Sequence, residues 1–146
     1  MIRFPLTVRL DDSDTNVFER AAEAGEWAIP GSFVFSDLGP AELVGKTRRA
    51  FTSGFLGLAS FGWSTLISIG EMPDSEYETL GNSLALHFVA RYGAPDVNSA
   101  LPVAMAELEF ATGLCDYPID SIIAVERALE DDGIHEQFRL VSSPTP

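Results

Sequence analysis

AFTSGFLGLASFGWSTLISIG, residues 50–70, threads Phe51, Phe55, Phe61 and Trp63 among glycines ahead of an apolar run. Glycine lets backbone approach backbone or ligand closely, and large aromatics supply much of the area that a core or a pocket buries. The stretch reads as a tight loop feeding a buried strand. In Trp63–Ile69 the side chains of Trp63, Thr65, Ile67 and Ile69 share one face and Leu66 lies on the other, as expected of an interior strand. Gly54–Gly62 is left with two readings, a close-packed element or a pocket wall beside Arg48 and Arg49.

On the N-terminal side, residues 41–53 read as a helix through Leu43, Arg48 and Arg49, weakened by Gly45 and Thr47. Ser36–Pro40 is a loop, and Trp27–Phe35 holds two extended pieces around Pro30-Gly31. Asp12–Asn16 offers side-chain acceptors for a helix whose stripe is Val17, Phe18, Ala21 and Ala22, stopped by Gly25. Residues 2–10 alternate, with Ile2, Phe4, Leu6, Val8 and Leu10 on one side, which is the pattern of a half-buried strand. Pro5 has no N–H for a ladder and places that strand at an edge, or turns the position outward.

On the C-terminal side, 74–92 reads as a helix opened by a Ser75–Glu78 capping box and closed by Gly93, with Tyr77, Leu80, Leu84 and Phe88 buried. A second helix runs from about Ser99 to Cys115 with Pro102 in its first turn. Its apolar residues lie all round, as in a sandwiched helix. Ser121–Asp131 and Ile134–Val141 form a hairpin about Asp132-Gly133, which sets Glu126 opposite Arg139, Glu130 opposite His135 and Val125 opposite Leu140. The expected architecture is one α+β domain over 1–141. It has an antiparallel or mixed sheet of about five strands, three to four helices mainly on one face and a C-terminal β-hairpin, and 142–146 form a loose tail.

Composition narrows the partners. The chain of 146 residues carries 22 acids against nine bases, a net charge of −13, which repels phosphate backbones and anionic lipid. Neither nucleic acid nor a membrane is an expected partner, and no apolar run approaches the roughly 20 residues of a membrane helix. The lone cysteine, Cys115, has no internal disulfide partner, which fits a reducing, cytoplasmic setting. Lys46, Arg48 and Arg49 are the one local basic cluster.

No motif completes a catalytic set. Gly39–Thr47, GPAELVGKT, has five residues between its glycines where a phosphate loop needs four, and one of them is Pro40. Asp12–Glu23 imitates a calcium loop but holds Val17 where the sharp turn requires glycine. Leu58-Ala-Ser60-Phe-Gly62 lacks the first glycine of a nucleophile elbow, so Ser60 reads as a turn serine. His87 and His135 are single, which gives no metal site and no implied cofactor. Glu107, in an alanine-rich stretch, is the acid with the best prospect of a shifted pKa.

Phe51–Gly62 (FTSGFLGLASFG) and Glu109–Pro118 (EFATGLCDYP) resemble a small bacterial domain family of unassigned function. The resemblance spans nearly the whole chain and brings no catalytic residue. It implies an accessory role beside cofactor-dependent enzymes. The expected function is a non-catalytic cytoplasmic accessory or protein-interaction domain that self-associates or binds a protein partner through an apolar patch, steered by Lys46, Arg48 and Arg49. The alternative is a small-molecule binding domain or small enzyme. In it Phe55, Phe61 and Trp63 line a pocket, and Arg48, Arg49 or Glu107 orients the ligand.

Overall fold

The run Trp63–Ile69 divides between two sheets. In a computed structural model, which describes residues 1–144, Trp63–Ser64 is a short strand (β4) of one sheet and Leu66–Met72 (β5) a central strand of another, with Thr65 at the break. Asp14 fixes that break, because its buried carboxylate accepts from the Thr65 hydroxyl at 2.6 Å and the Thr65 N–H at 3.3 Å. The remaining elements are β1 (Ile2–Val8), α1 (Ser13–Val17), β2 (Ala28–Ile29), a 3-10 turn (Ser32–Phe35), α2 (Gly45–Ser53), β3 (Phe55–Gly57), α3 (Asp74–Arg91), α4 (Val97–Gly113), β6 (Ile122–Glu130) and β7 (Gly133–Ser142). The result is a single α+β domain with two antiparallel sheets, ordered β1-β5-β6-β7 and β2-β3-β4, where a single sheet was expected.

β1 is an edge strand, as Pro5 requires. The N–H of Thr7 turns away from β5 and donates to Glu26 O at 2.8 Å, and Pro5 has the same parity, so its missing donor removes no ladder bond. The one-sided burial expected of this strand fails. Phe4, Pro5 and Thr7 are all buried, because the Glu23–Trp27 segment lies along the edge.

Several local expectations yield to tertiary contacts. The first helix stops at Val17, and Phe18 is extended; beyond it Ala22 N donates to Trp63 O and Trp63 N to Arg20 O, which replaces helical bonding with bonding to β4. The second extended piece is the 3-10 turn, entered through Gly31 at φ +78. α2 starts at Gly45, four residues later than the expected start at 41. No capping box forms on α3: Pro73 is the N-cap without a side-chain bond, while Glu76 accepts from the Trp27 indole at 3.1 Å. α4 starts two residues early because Asp96 accepts from Ser99 N at 2.7 Å, so Pro102 falls outside the first turn. Nor is α4 sandwiched. It buries Ala100, Ala104, Leu108 and Ala111 and leaves Val103 and Phe110 exposed. Small residues let α3 and α4 pack closely, and a methyl at Gly81 would stand 2.3 Å from Met105 Sδ.

The C-terminal hairpin forms, but its turn is Asp131-Asp132. Glu130 pairs with Gly133, Glu126 with Gln137, Ala124 with Arg139 and Ile123 with Leu140, two residues away from the expected register. A slip of two preserves side-chain parity, so each residue keeps its face. The slip also sets Arg127 across from Glu136. β7 extends to Ser142, which pairs with Ile122, so the expected tail loses its first residue to the sheet; Thr145 and Pro146 lie outside the described residues.

Candidate functional site

Two buried ions organise the molecule's middle. Arg127 stands on the inward face of β6 with Ile123 and Val125, and its side chain is fully buried. Its Nε donates to Glu136 Oε2 at 2.6 Å, its Nη1 to Phe51 O at 2.9 Å and Gly54 O at 2.8 Å, and its Nη2 to Pro30 O. One guanidinium therefore ties the hairpin to the last carbonyls of α2 and to the loop after β2. Cations suit a helix C-terminus. Burial pulls the Arg127 pKa down and Glu136 opposes it, which leaves a charged, saturated anchor.

Glu26 is the counterpart at the far end of β3, against Gly57. Its Oε1 accepts from Ser60 N at 2.7 Å and Ala59 N at 3.0 Å, and its Oε2 from the Ser60 hydroxyl and Glu23 N, both at 2.7 Å. Burial pushes this carboxyl up, but the bonds from Ser60, Glu23 and Ala59 outweigh it and hold the pKa below the usual value. An ionised Glu26 cannot deprotonate Ser60 usefully at neutral pH, since a general base needs a pKa near the working pH. Ser60 is a turn serine that also accepts from Gly62 N at 3.0 Å.

This network answers the question posed by Gly54–Gly62. A methyl at Gly57 would lie 2.5 Å from Glu26 Oε1, at Gly62 2.7 Å from the Ala21 backbone, and at Gly54 2.8 Å from the Trp63 ring. The glycines serve close packing and leave no ligand space between them. Phe61, at φ +55, carries the turn and stacks on His87 at 3.6 Å between centroids. Burial, and then Arg91, hold His87 below its ordinary pKa.

The residues singled out in the sequence do not converge. Phe55 is fully buried beside Phe138, and Trp63 packs on Phe35 at 5.1 Å, so neither lines a pocket with the arginines. Lys46, Arg48 and Arg49 are exposed on α2 and enter none of the ion pairs among the described residues. Of the three, Arg48 alone borders a recess, of about 530 Å³, with Leu43, Phe51, Leu129 and the acids Glu130 and Asp131. Glu107 is half-buried in a different cleft beside Phe33 and Tyr92, and burial, then Glu136, push its carboxyl up. Cys115 is buried, with its thiol pushed up to about 12 by desolvation, and is inert as a nucleophile.

Sequence reading passed over Arg127, Glu136 and Glu26. For Arg127 a signal existed: a charge at the parity of Ile123 and Val125 on an alternating strand. Glu26 had none, because its donors come from residues 23, 59 and 60 and meet only in the fold. Among the described residues no three His, Cys, Asp or Glu side chains are placed to hold a metal ion. No helix is long and apolar enough to cross a membrane.

The chain belongs to DUF6505, a family of unknown function whose model matches residues 1–145. That agrees with the resemblance to a small domain family of unassigned function. No curated protein and no solved structure matches the chain.

Proposed function

We propose that this DUF6505 chain is a non-catalytic, cytoplasmic accessory domain that binds a second copy of itself or a protein partner along the outer edge of β7. The observation that carries the reading is that edge itself. β7 has ten residues and pairs with β6 alone among the described strands. It contains neither lysine nor proline, and the one irregularity of its ladder, a bulge at Val141, falls at its end, which leaves Gly133–Leu140 as a continuous edge. Leu140 and Val141 near its end are 39% and 43% exposed. An antiparallel edge of this kind templates a strand from another chain, with main-chain bonds supplying affinity and alternate side chains specificity. Lys46, Arg48 and Arg49, on a chain of net charge −13, would steer an acidic partner or a symmetry mate.

Sedimentation across a dilution series, at low and high salt, tests the reading with the double variant Leu140→Lys, Val141→Lys. The wild type should associate and the variant should dissociate at concentrations about tenfold higher or more, as edge lysines oppose strand pairing. A wild type that stays monomeric and retains the same set of lysate proteins as the variant would overturn it.

The recess beside Arg48 favours a second reading, in which a small polar molecule sits against Phe51 and Leu129 with its acceptor toward Arg48 and its donors toward Glu130 and Asp131. Thermal shift with a panel of small zwitterions, set beside plain carboxylates and phosphates, would detect it. A response that persists in Arg48→Ala would sink it.

A further inference from the structure

We propose that the cleft between the 3-10 turn, the end of α3 and the first half of α4 binds an alkylammonium cation. The cleft holds about 390 Å³, within the range of small-ligand sites, and its charged lining groups are Asp37 and Glu107. Phe33, Phe88 and Tyr92 form its aromatic wall. No lysine, arginine or histidine lines it.

The rings are arranged in a way that suits a cation. Phe33 and Phe88 meet at 89°, Phe33 and Tyr92 at 78°, and Phe88 and Tyr92 at 87°, with centroids 5.0, 5.3 and 6.1 Å apart. Phe88 is buried behind the other two, whereas Phe33 is partly buried and Tyr92 is 45% exposed, so ring surface of these two borders the opening, and the negative face of an aromatic ring attracts ammonium groups. Glu107 supplies the charge. It stands half-buried on this partly apolar wall and enters none of the ion pairs among the described residues. The charged neighbour that acts on it, Glu136, has the same sign, and Glu136 is itself paired with Arg127.

A carboxylate withdrawn from water without a countercharge is unfavourable, and an ammonium ion seated on the rings relieves that. Two carboxylates among aromatic and aliphatic groups offer too few oxygen ligands for a hard metal ion. The chain's net charge of −13 raises the local concentration of cations around it. An organic ammonium is the chemistry that uses both the rings and the acids.

The test is an NMR titration of the full chain with choline, run against its neutral carbon isostere dimethylbutanol at matched sodium chloride. Choline should give saturable shifts at Phe33, Tyr92 and Val103, and dimethylbutanol should not. Glu107→Gln should weaken choline about tenfold. Tyr92→Leu, at a ring already 45% exposed, should weaken it about fivefold without disturbing the core. Equal binding of dimethylbutanol, the same shifts from sodium chloride alone, or an unchanged affinity in both variants would overturn the proposal. A blocked lysine amide run beside choline separates the sources: tighter binding assigns the ammonium to a partner's lysine, weaker binding to a free amine.

Discussion

Arg127 and Glu26 are both charged, both buried and both fully engaged, yet they hold different things together. Glu26 gathers donors from its own neighbourhood in the fold, three of them backbone N–H groups at Glu23, Ala59 and Ser60, and shapes the turn between β3 and β4. Arg127 gathers acceptors from its cross-strand neighbour Glu136 and from two distant pieces of chain, Pro30 and the Phe51–Gly54 region, and docks the hairpin on the domain. The difference teaches that a buried charge can serve either as the template of a loop or as a rivet between elements. A carboxylate suits backbone N–H groups that converge in a turn, and the guanidinium fork suits carbonyls that arrive from several directions.

The comparison breaks most visibly at the rivet. Arg127→Met should remove about 3–5 kcal/mol in urea denaturation, because Glu136 and the α2 carbonyls lose their partner inside the protein. Restoring packing with Glu136→Leu in the same chain should recover part of that loss, since a neutral pair leaves no buried charge. A double variant no better than the single one would show that the α2 carbonyls, and not the ion pair, carry the contribution.

The template should be worth less. Glu26→Gln keeps the shape but replaces one acceptor oxygen by an N–H₂ that faces donors, at about 1–3 kcal/mol. Amide exchange at Ala59 and Ser60 should quicken more than exchange in β6, which distinguishes local loosening from global loss. Gly57→Ala tests the same contact from the other side, with about 1–3 kcal/mol expected from the forced displacement of the carboxylate.

Protonation separates the two acids Glu26 and Glu107. The folded pKa of Glu26 lies below its ordinary 4.5, so its stabilisation is fully present above that value and is lost as pH falls through the folded pKa. Glu107 has the opposite sign, since its raised folded pKa makes the ionised form a liability that is relieved as pH falls toward the ordinary value. Stability measured against pH should therefore lose part of its acid-limb slope in Glu26→Gln. In Glu107→Gln it should rise slightly at neutral pH. Lys46→Ala and Arg49→Ala should change stability by no more than about 0.5 kcal/mol, and a larger loss would mean that the exposed cluster has a structural partner.

Elements with strong local signals were legible in the sequence. The edge strand with Pro5, the α3 stop at Gly93 with φ +74 and the existence of the C-terminal hairpin all rest on residues adjacent in the chain. The hairpin turn was not, because Asp131-Asp132 and Asp132-Gly133 both permit a tight loop, and the observed register is the one that sets Arg127 opposite Glu136, a pairing no local signal announces. The alanine-rich context marked Glu107 as an acid with a shifted pKa in prospect, and burial does raise it, but the cleft it lines belongs to Phe33 and Tyr92, which no spacing connects to it.

The Gly54–Gly62 segment shows where the division falls. Glycines that alternate with bulky side chains over a short span leave two uses for that backbone, close approach to another segment or the wall of a pocket, and the residues alone carry the reading no further. The fold selects close approach and supplies each neighbour: the Glu26 carboxylate at Gly57, the Ala21 backbone at Gly62 and the Trp63 ring at Gly54. The reason is physical. Absence of a side chain is a local property written in the chain, whereas the identity of the neighbour depends on long-range pairing whose energy no single segment contains.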